Sequence, residues 1–244
     1  MGYFRDQKGI MNRYLRESEN WKKHLRYTRE FIMESAENKN KYHAIVLGSG
    51  WLLDVPLEEL SQQFKQVTLT DILHPPQIKK KAEKFPNVTL WETDLTGGMI
   101  NNAYKQAKAF KKSKELPVFR EKEKITLPQE PDFIISCNTL TQLGILIKEY
   151  LKKYPGIPEK SISELEETTQ RNHLELLIPG KSCLITEYEE EIYNEEDQLI
   201  GTNPLLKVKL PAGKKQAQWK WHFDTRMYYR EDAKTFMNVK AVDW

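Results

Sequence analysis

The sequence has only two cysteines and no long apolar run. Cys137 and Cys183 lie inside short apolar segments and match no metal-binding spacing, so we expect reduced thiols in the core. No segment approaches the roughly 20 apolar residues of a membrane span. The first residues, MGYFRDQKGI, also lack the apolar run of a signal peptide. These absences argue against a disulfide scaffold and a membrane protein, and they favour a cytoplasmic location.

The chain also lacks a strong excess of charge of either sign. Its 38 basic and 35 acidic residues give a formal charge of +3, which is too small to predict a nucleic-acid partner. Lysines do crowd the segment from Lys105 to Lys124. Such a run is typical of a solvated helix face followed by a loop, although an RNA-modifying enzyme could use it to contact phosphates. We therefore expect a small-molecule substrate, with nucleic acid as the less favoured partner and the oligomeric state unassigned.

Metal ligands and catalytic nucleophiles are not clustered in the sequence. The five histidines are scattered, and the acidic run EYEEEIYNEED, residues 187–197, is typical of a solvated surface. Neither cysteine stands in a motif for nucleophilic catalysis. The sequence therefore predicts no metal site.

What the sequence does have is the composition of a folded protein with one core domain. With 39% hydrophobic and 30% charged residues, 244 residues can bury a substantial core. Residues 1–40 show two apolar stripes at helical spacing, which predict an N-terminal helical arm. We expect this arm to act as a lid on a main domain formed by residues 41–244.

Strand-like and helix-like segments alternate through the main domain. The apolar runs are HAIVLG, KQVTLTDI, NVTLWETD, PDFIISCN and LLIPGKSCLITEYEEE, and all but the last precede a helical pattern. Five such strands predict right-handed crossovers and a mainly parallel sheet covered on both faces. This is the doubly wound, Rossmann-like class of α/β fold. The later segment WKWHFDT alternates apolar and polar residues, which is typical of an antiparallel edge strand.

Glycines or polar residues stand at the ends of four of these predicted strands. Gly48 and Gly50 end the first, where missing side chains let the backbone pass close to a ligand. Asp71, Asp94 and Asn138 end the next three. A helix cap or a turn explains any one of these polar residues equally well. Because ligands of parallel sheets bind beyond the carboxyl ends of the strands, the set as a whole favours one nucleoside site.

The glycine segment VLGSGWLL lacks the features of the common phosphate-binding loops. The dinucleotide fingerprint needs a third glycine where this chain has Leu53. The motif GxxxxGK[ST] of the triphosphate loop is absent as well. An adenosyl group without phosphates therefore fits this segment better than a dinucleotide or a triphosphate.

These motifs resemble those of the class I S-adenosylmethionine-dependent methyltransferases, over roughly residues 41–244. VLGSG is similar to the first motif of the family, LTD to its second-strand acid, ETDLTG to its adenine-contacting stretch, and DFIISCNTLTQL to its fourth strand and the following loop. The resemblance implies a seven-stranded sheet with an antiparallel last strand, and S-adenosylmethionine as the cofactor. The longer strings LGSGWLLDVPLEEL, NTLTQL and WKWHF resemble a bacterial subgroup, which implies no particular substrate.

The same resemblance implies roles for individual residues. Asp71 would hold the ribose, Asp94 and Leu95 would lie by the adenine, and Asn138 would face the methyl donor. The implied cofactor-binding residues are Gly48, Ser49, Gly50, Asp71, Ile72, Asp94, Leu95 and Asn138.

No catalytic residue is assigned. Methyl transfer from a sulfonium needs mainly positioning and the exclusion of water, so a base is optional. His24 on the arm, and His222 with Asp224, are candidates for a base or an acceptor contact, although packing explains each of them too. Val46 and Leu52 stand where the family commonly has an acid and a small residue. A non-catalytic module of the same fold, binding a cofactor or a partner, is therefore the alternative to an enzyme.

Overall fold

The computed structural model describes residues 2–119 and 125–244. The predicted lysine-rich segment, Lys105 to Lys124, is thus described only as far as Phe119, and its last five residues lie outside the described part of the chain.

Within these residues the chain forms six helices and eight strands. The helices are α1 (Tyr3–Ala36), α2 (Leu57–Gln63), α3 (Pro76–Ala82), α4 (Met99–Ser113), α5 (Ile145–Leu151) and α6 (Glu159–Leu174). The strands are β1 (His43–Leu47), β2 (Gln66–Asp71), β3 (Val88–Glu92), β4 (Phe133–Cys137), β5 (Ser182–Tyr193), β6 (Leu199–Pro204), β7 (Lys215–Asp224) and β8 (Lys234–Asp243).

All eight strands belong to one sheet, in the order β3-β2-β1-β4-β5-β8-β7, and β6 pairs with β5 beside this path. Strands β1 to β5 are parallel, and β8 runs antiparallel to both β5 and β7. The predicted Rossmann-like α/β fold is therefore confirmed, including the antiparallel last strand and the edge position of WKWHFDT in β7.

The sheet has eight strands where the resemblance implied seven, and the acidic run is solvated only in its last part, residues 195–197. Strand β5 continues through this run to Tyr193 and pairs with the additional strand β6. The acids are held in the strand by cross-strand partners. Glu191 accepts hydrogen bonds from Lys220 at 2.5 Å and Asn238 at 2.7 Å, and Glu190 pairs with Arg230 at 2.7 Å.

The central strands are buried on both faces. In β1, Ala44 and Val46 face a core shared with α1, α2 and α3, whereas Ile45 and Leu47 face the opposite core. Helices α4, α5 and α6 contribute a third cluster of apolar side chains. Because both faces are covered, β1 and β4 consist almost wholly of buried residues and leave only their ends for ligand contacts.

Helix α1 is a single element of 34 residues that bends at Glu17. Its later half packs on β7, where the Trp21 indole N–H donates to the Phe223 carbonyl at 2.9 Å. At the bend, the Glu17 carboxylate accepts hydrogen bonds from Thr225 Oγ1 at 3.0 Å and the Arg226 N–H at 3.1 Å. The β7–β8 connection therefore fixes the bend, and the first half of α1 extends to the carboxyl ends of the central strands.

Candidate functional site

A cavity lies beyond the carboxyl ends of β1 to β4, where the strand order reverses between β1 and β4. Seven of the eight sequence-predicted binding residues line it, namely Gly48, Gly50, Asp71, Ile72, Asp94, Leu95 and Asn138. Ser49 does not. Its side chain is buried, and its backbone N–H donates to the Thr70 carbonyl at 2.8 Å.

The two glycines after β1 have different structural roles. Gly48 has φ +75°, and a Cβ there would lie 2.2 Å from the Thr139 hydroxyl oxygen. Its missing side chain thus makes room for Thr139, while its backbone still lines the cavity. Gly50 has φ +49°, and a Cβ there would meet nothing within 4 Å. At Gly50 the missing side chain leaves open space, and the ligand contacts predicted for the two glycines stay predictions.

Asp71 is fixed on the cavity wall by backbone N–H groups. Its Oδ2 accepts from the Gly50 N–H at 2.8 Å, and its Oδ1 accepts from the Ile72 N–H at 2.7 Å. Gln7 Nε2 lies 3.4 Å from the same Oδ1. Burial raises the pKa of the Asp71 carboxyl, and the two N–H donors oppose that rise. The carboxylate is therefore held in one orientation, with Gly50 beside it.

The charge of the lining has one sign. Among the described residues that line the cavity, Asp6, Asp71 and Asp94 are acids and none is a lysine or an arginine. Asp94 also has a local role, because its Oδ1 accepts from the Thr96 N–H at 2.8 Å and so closes the turn after β3. Acids without a balancing cation disfavour phosphates and favour hydroxyl donors or a cationic ligand.

Helix α1 forms one wall of the cavity, which the sequence did not predict residue by residue. Tyr3, Gln7 and Ile10 lie on the helix face that contacts it, together with Asp6. The Trp51 indole N–H holds this wall in place by donating to the Gln7 carbonyl at 2.7 Å. The helical spacing of the apolar residues in the arm was the only sequence signal for this face.

Two polar atoms of this wall are buried without a partner among the described residues. They are the Tyr3 hydroxyl and Gln7 Oε1. Burial raises the pKa of Tyr3, and Asp94 raises it further. Buried polar groups in folded proteins almost always have a hydrogen-bond partner, so these atoms fit a polar ligand in the cavity.

The loop after β4 supplies the remaining wall. Asn138 adopts φ +49° and is only 8% exposed, and its Oδ1 has no partner among the described residues. Thr139, Gln142, Leu143 and Leu146 continue this wall into α5. The sequence placed Asn138 at the strand end and resembled the family's loop as far as Leu143, but it assigned no role to the four residues that follow.

His24 does not line the cavity. Its ring is fully buried and stacks on Trp221, with 3.9 Å between ring centroids. Burial lowers the pKa of His24 to about 3, so the ring is neutral at physiological pH. Its Nε2 lies 3.1 Å from the Asn138 amide nitrogen position. His24 therefore reaches the site only through Asn138, and the structure gives no direct contact with a ligand for it.

His222 and Asp224 do not form the pair that the sequence allowed. A bulge between them breaks the alternation of β7. His222 stays exposed and packs against Phe236, with 4.8 Å between ring centroids. Asp224 is buried and accepts from the Tyr229 N–H at 2.6 Å. Neither lines the cavity.

Metal-binding clusters and membrane-spanning helices are absent from the described part of the chain. Residues 2–119 and 125–244 contain no group of three or more His, Cys, Asp or Glu side chains arranged to hold a metal ion. None of their helices is long and apolar enough to span a bilayer. Cys137 and Cys183 are buried free thiols, as the sequence predicted.

Comparison with known proteins gives only distant structural likeness. No protein-family model matches the chain, and no curated protein sequence is significantly similar. Among solved structures, N-methyltransferase NodS from Bradyrhizobium japonicum WM9, in complex with S-adenosyl-L-homocysteine, matches at 10% identity and a TM-score of 0.41, over 89% of this chain and 86% of NodS. The DhpI–SAH complex matches at 11% and 0.35, over 95% and 93% of the chains.

The 23S rRNA methyltransferase ErmE matches at 12% identity and a TM-score of 0.33, over 89% of this chain and 67% of ErmE. At such scores none of these proteins bears on the chemistry of this chain. The site itself has to carry the function.

Proposed function

We propose that this protein is an S-adenosylmethionine-dependent methyltransferase with a small-molecule acceptor. The observation that carries the proposal is the cavity at the strand-order reversal, in which the Gly50 N–H meets Asp71 and all charged lining residues are acids. The sheet order supports it, because five parallel strands followed by an antiparallel last strand is the arrangement that the sequence resemblance implies.

The chemistry of the lining fits this cofactor. S-adenosylmethionine carries a sulfonium and an ammonium group and has no phosphate, so acids attract it and repel NAD or ATP. Asp71 would accept hydrogen bonds from the ribose hydroxyls. Ile72, Asp94 and Leu95 would contact the adenine, and the buried Tyr3 hydroxyl would gain the partner that it lacks.

Bound S-adenosylmethionine supplies a methyl group that is already activated on sulfur. The protein has to bind the cofactor, orient it toward the acceptor and exclude water. Asp71 orients the adenosyl end, and Leu143 and Leu146 provide an apolar wall. The first turns of α1 would act as the lid, so that residues 1–40 serve as an arm on a main domain of residues 41–244.

The acid lining also favours a small acceptor over RNA. A polyanion at the mouth of this cavity would meet Asp6, Asp71 and Asp94 with no cation among the described lining residues. The lysines of α4 lie on its exposed face, and of that helix only Ile100 lines the cavity. We further propose a cytoplasmic location and the bacterial subgroup on the sequence patterns alone.

Calorimetric titration tests the cofactor. We expect S-adenosylmethionine and S-adenosylhomocysteine to bind with dissociation constants on the order of micromolar, and NAD not to bind. Asp71→Ala should weaken both at least about tenfold, or about 1.4 kcal/mol. Glu92→Ala is the matched control, since this acid ends β3 but pairs with Lys79 at 2.8 Å and does not line the cavity.

Equal affinities of wild type and Asp71→Ala would remove the ribose contact. Absence of binding by the wild type would overturn the proposal as a whole. If the wild type binds S-adenosylmethionine, the purified protein can be incubated with a metabolite extract, and mass spectrometry of the methylated small molecules then identifies the acceptor. Methylated RNA in a parallel reaction would contradict the small-molecule assignment.

A further inference from the structure

A cluster of buried and partly buried side chains contacts Asn138 and does not line the cavity. The Trp219 indole N–H donates to His24 Nδ1 at 3.0 Å, and His24 Nε2 lies 3.1 Å from the Asn138 amide. The same amide atom lies 2.7 Å from Asp54 Oδ2, and Cys137 Sγ lies 3.2 Å from that oxygen. The cluster therefore joins α1, the β1–α2 loop, the end of β4 and β7.

The Trp219 indole N–H determines which of the other groups in this cluster are hydrogen-bond donors. An indole nitrogen only donates, so His24 Nδ1 must accept and carries no proton. The neutral imidazole then has its proton on Nε2, which faces the Asn138 amide. Two donors cannot face each other, so Asn138 must turn its carbonyl oxygen, not its NH2 group, toward His24.

This orientation of the Asn138 amide determines the protonation state of Asp54. The Asn138 atom beside His24 is also the atom 2.7 Å from Asp54 Oδ2. A carboxylate only accepts, and an amide oxygen also only accepts, so this contact needs a proton on Asp54. The hydrogen-bond partners of an amide thus decide which of its two terminal atoms is the oxygen. The count is satisfied when Asp54 Oδ2 donates to the Asn138 oxygen and accepts from the Cys137 thiol.

We propose that Asp54 is held as a carboxylic acid and, together with His24, is a positioning residue that keeps the Asn138 NH2 group available to the cavity. Asn138 lines the cavity, and the second atom of its amide is buried without a partner among the described residues. In this orientation the NH2 group occupies that second position. It would donate to an oxygen or nitrogen lone pair of the bound ligand. Only the identity of that ligand rests on the proposed function.

The groups around Asp54 support a protonated carboxyl. Burial raises its pKa, whereas the hydrogen bonds and the charge of Arg29 on α1 lower it only in part. Glu187 on β5, itself buried, interacts unfavourably with an Asp54 charge. Cys137 on β4 has a pKa raised well above its ordinary value by burial, so it stays a thiol. His24 on α1 contributes no charge.

Infrared difference spectroscopy of the ligand-free protein tests the protonation state directly. At neutral pH, the wild-type spectrum minus that of Asp54→Asn should show the C=O stretch of a protonated carboxylic acid. Glu187→Gln is the control for the other buried acid, and the Asp54 band should survive that substitution. A carboxylate band of Asp54 at neutral pH would overturn the proposal. Titration of the wild type alone gives a second reading, because the acid band must decay as the pH is raised.

Binding of S-adenosylhomocysteine tests the positioning role. Asp54→Asn can still donate to the Asn138 oxygen through its own NH2 group and should keep most of the affinity. Asp54→Val has no donor, and we expect a loss of roughly fivefold to tenfold, the range of one hydrogen bond. Equal affinity of both variants would contradict the positioning role.

The two proposals fail in different ways. A wild type that binds no S-adenosylhomocysteine refutes the proposed cofactor, while the infrared band still decides the state of Asp54. A missing acid band refutes the cluster, while the Asp71→Ala titration still decides the cofactor.

Discussion

Asp71 and Asp54 both contact the carboxyl end of the central strands, but their surroundings differ. Asp71 receives two backbone N–H donors and lines a cavity that contains buried polar atoms without partners. Asp54 contacts the side chains of Cys137 and Asn138 and does not line the cavity. We call these regions the open half and the closed half of the edge. Asn138 is the residue that belongs to both.

A polar residue at a strand end is therefore not by itself a ligand contact. In the open half, main-chain donors orient an acid and leave other polar groups unsatisfied, which suits a ligand. In the closed half, side chains satisfy one another, so the same residue types serve to fix the structure. Substitutions should therefore affect affinity in the open half and stability or orientation in the closed half.

The largest expected effect is at the two glycines of the cavity lining, of which only Gly48 packs tightly against Thr139. Gly48→Ala places a Cβ 2.2 Å from the Thr139 hydroxyl oxygen at a positive φ, so we expect a loss of about 3 kcal/mol in the free energy of unfolding. Gly50→Ala keeps a positive φ but meets no atom, and it should lose only about 1 kcal/mol. Urea denaturation measures both. Equal losses would show that Thr139 yields easily and that the packing contrast is wrong.

A second contrast is the response of the closed half to pH. The pKa of His24 is about 3 in the folded state and about 6.5 in the unfolded chain. Because the folded value is the lower one, the stability is present above the unfolded value and is lost as the pH falls toward the folded value. At pH 5 we expect a loss of about 2 kcal/mol from this ring.

Urea denaturation at neutral pH and at pH 5 isolates this contribution. His24→Gln should lose less stability between the two pH values than the wild type. His222→Gln, at a more exposed ring whose pKa is lowered less, should change the pH dependence less than His24→Gln does. The acids Asp54 and Glu187 have raised pKa values and shift stability in the opposite direction, which is why the comparison is made between variants. The same pH dependence in His24→Gln as in the wild type would contradict the buried neutral ring.

The open half was largely predictable from the sequence. Gly50, Asp71, Asp94 and Asn138 each follow an apolar strand, and parallel strands bring their carboxyl ends to one edge. The closed half was not predictable, because its contacts join residues far apart in the chain, such as Trp219 and His24. Periodicity reports burial of a helix face but not which strand covers it.

The errors have physical causes of the same kind. Alternation along WKWHFDT assigned His222 and Asp224 to one face, but a bulge moves one residue out of register. The acidic run after Thr186 was interpreted as solvated because its cationic partners, Lys220 and Arg230, lie 29 and 40 positions away along the chain. Pairing of this kind is visible only once the strands are assembled. Gly48 has a packing role that the sequence did not reveal, since Thr139 fills the space that a side chain there would take.

The smallest expected effect separates ligand contact from stability on α1. The Tyr3 hydroxyl is buried without a partner among the described residues, so Tyr3→Phe removes no protein hydrogen bond. We expect the free energy of unfolding of the free protein to stay within about 0.5 kcal/mol, because no contact is lost. The affinity for S-adenosylhomocysteine should fall roughly threefold, the lower range for a single hydrogen bond. Tyr14→Phe is the control, because Tyr14 lies on the same helix but outside the cavity. If Tyr3→Phe and Tyr14→Phe have the same affinity, the first turn of α1 does not reach the ligand.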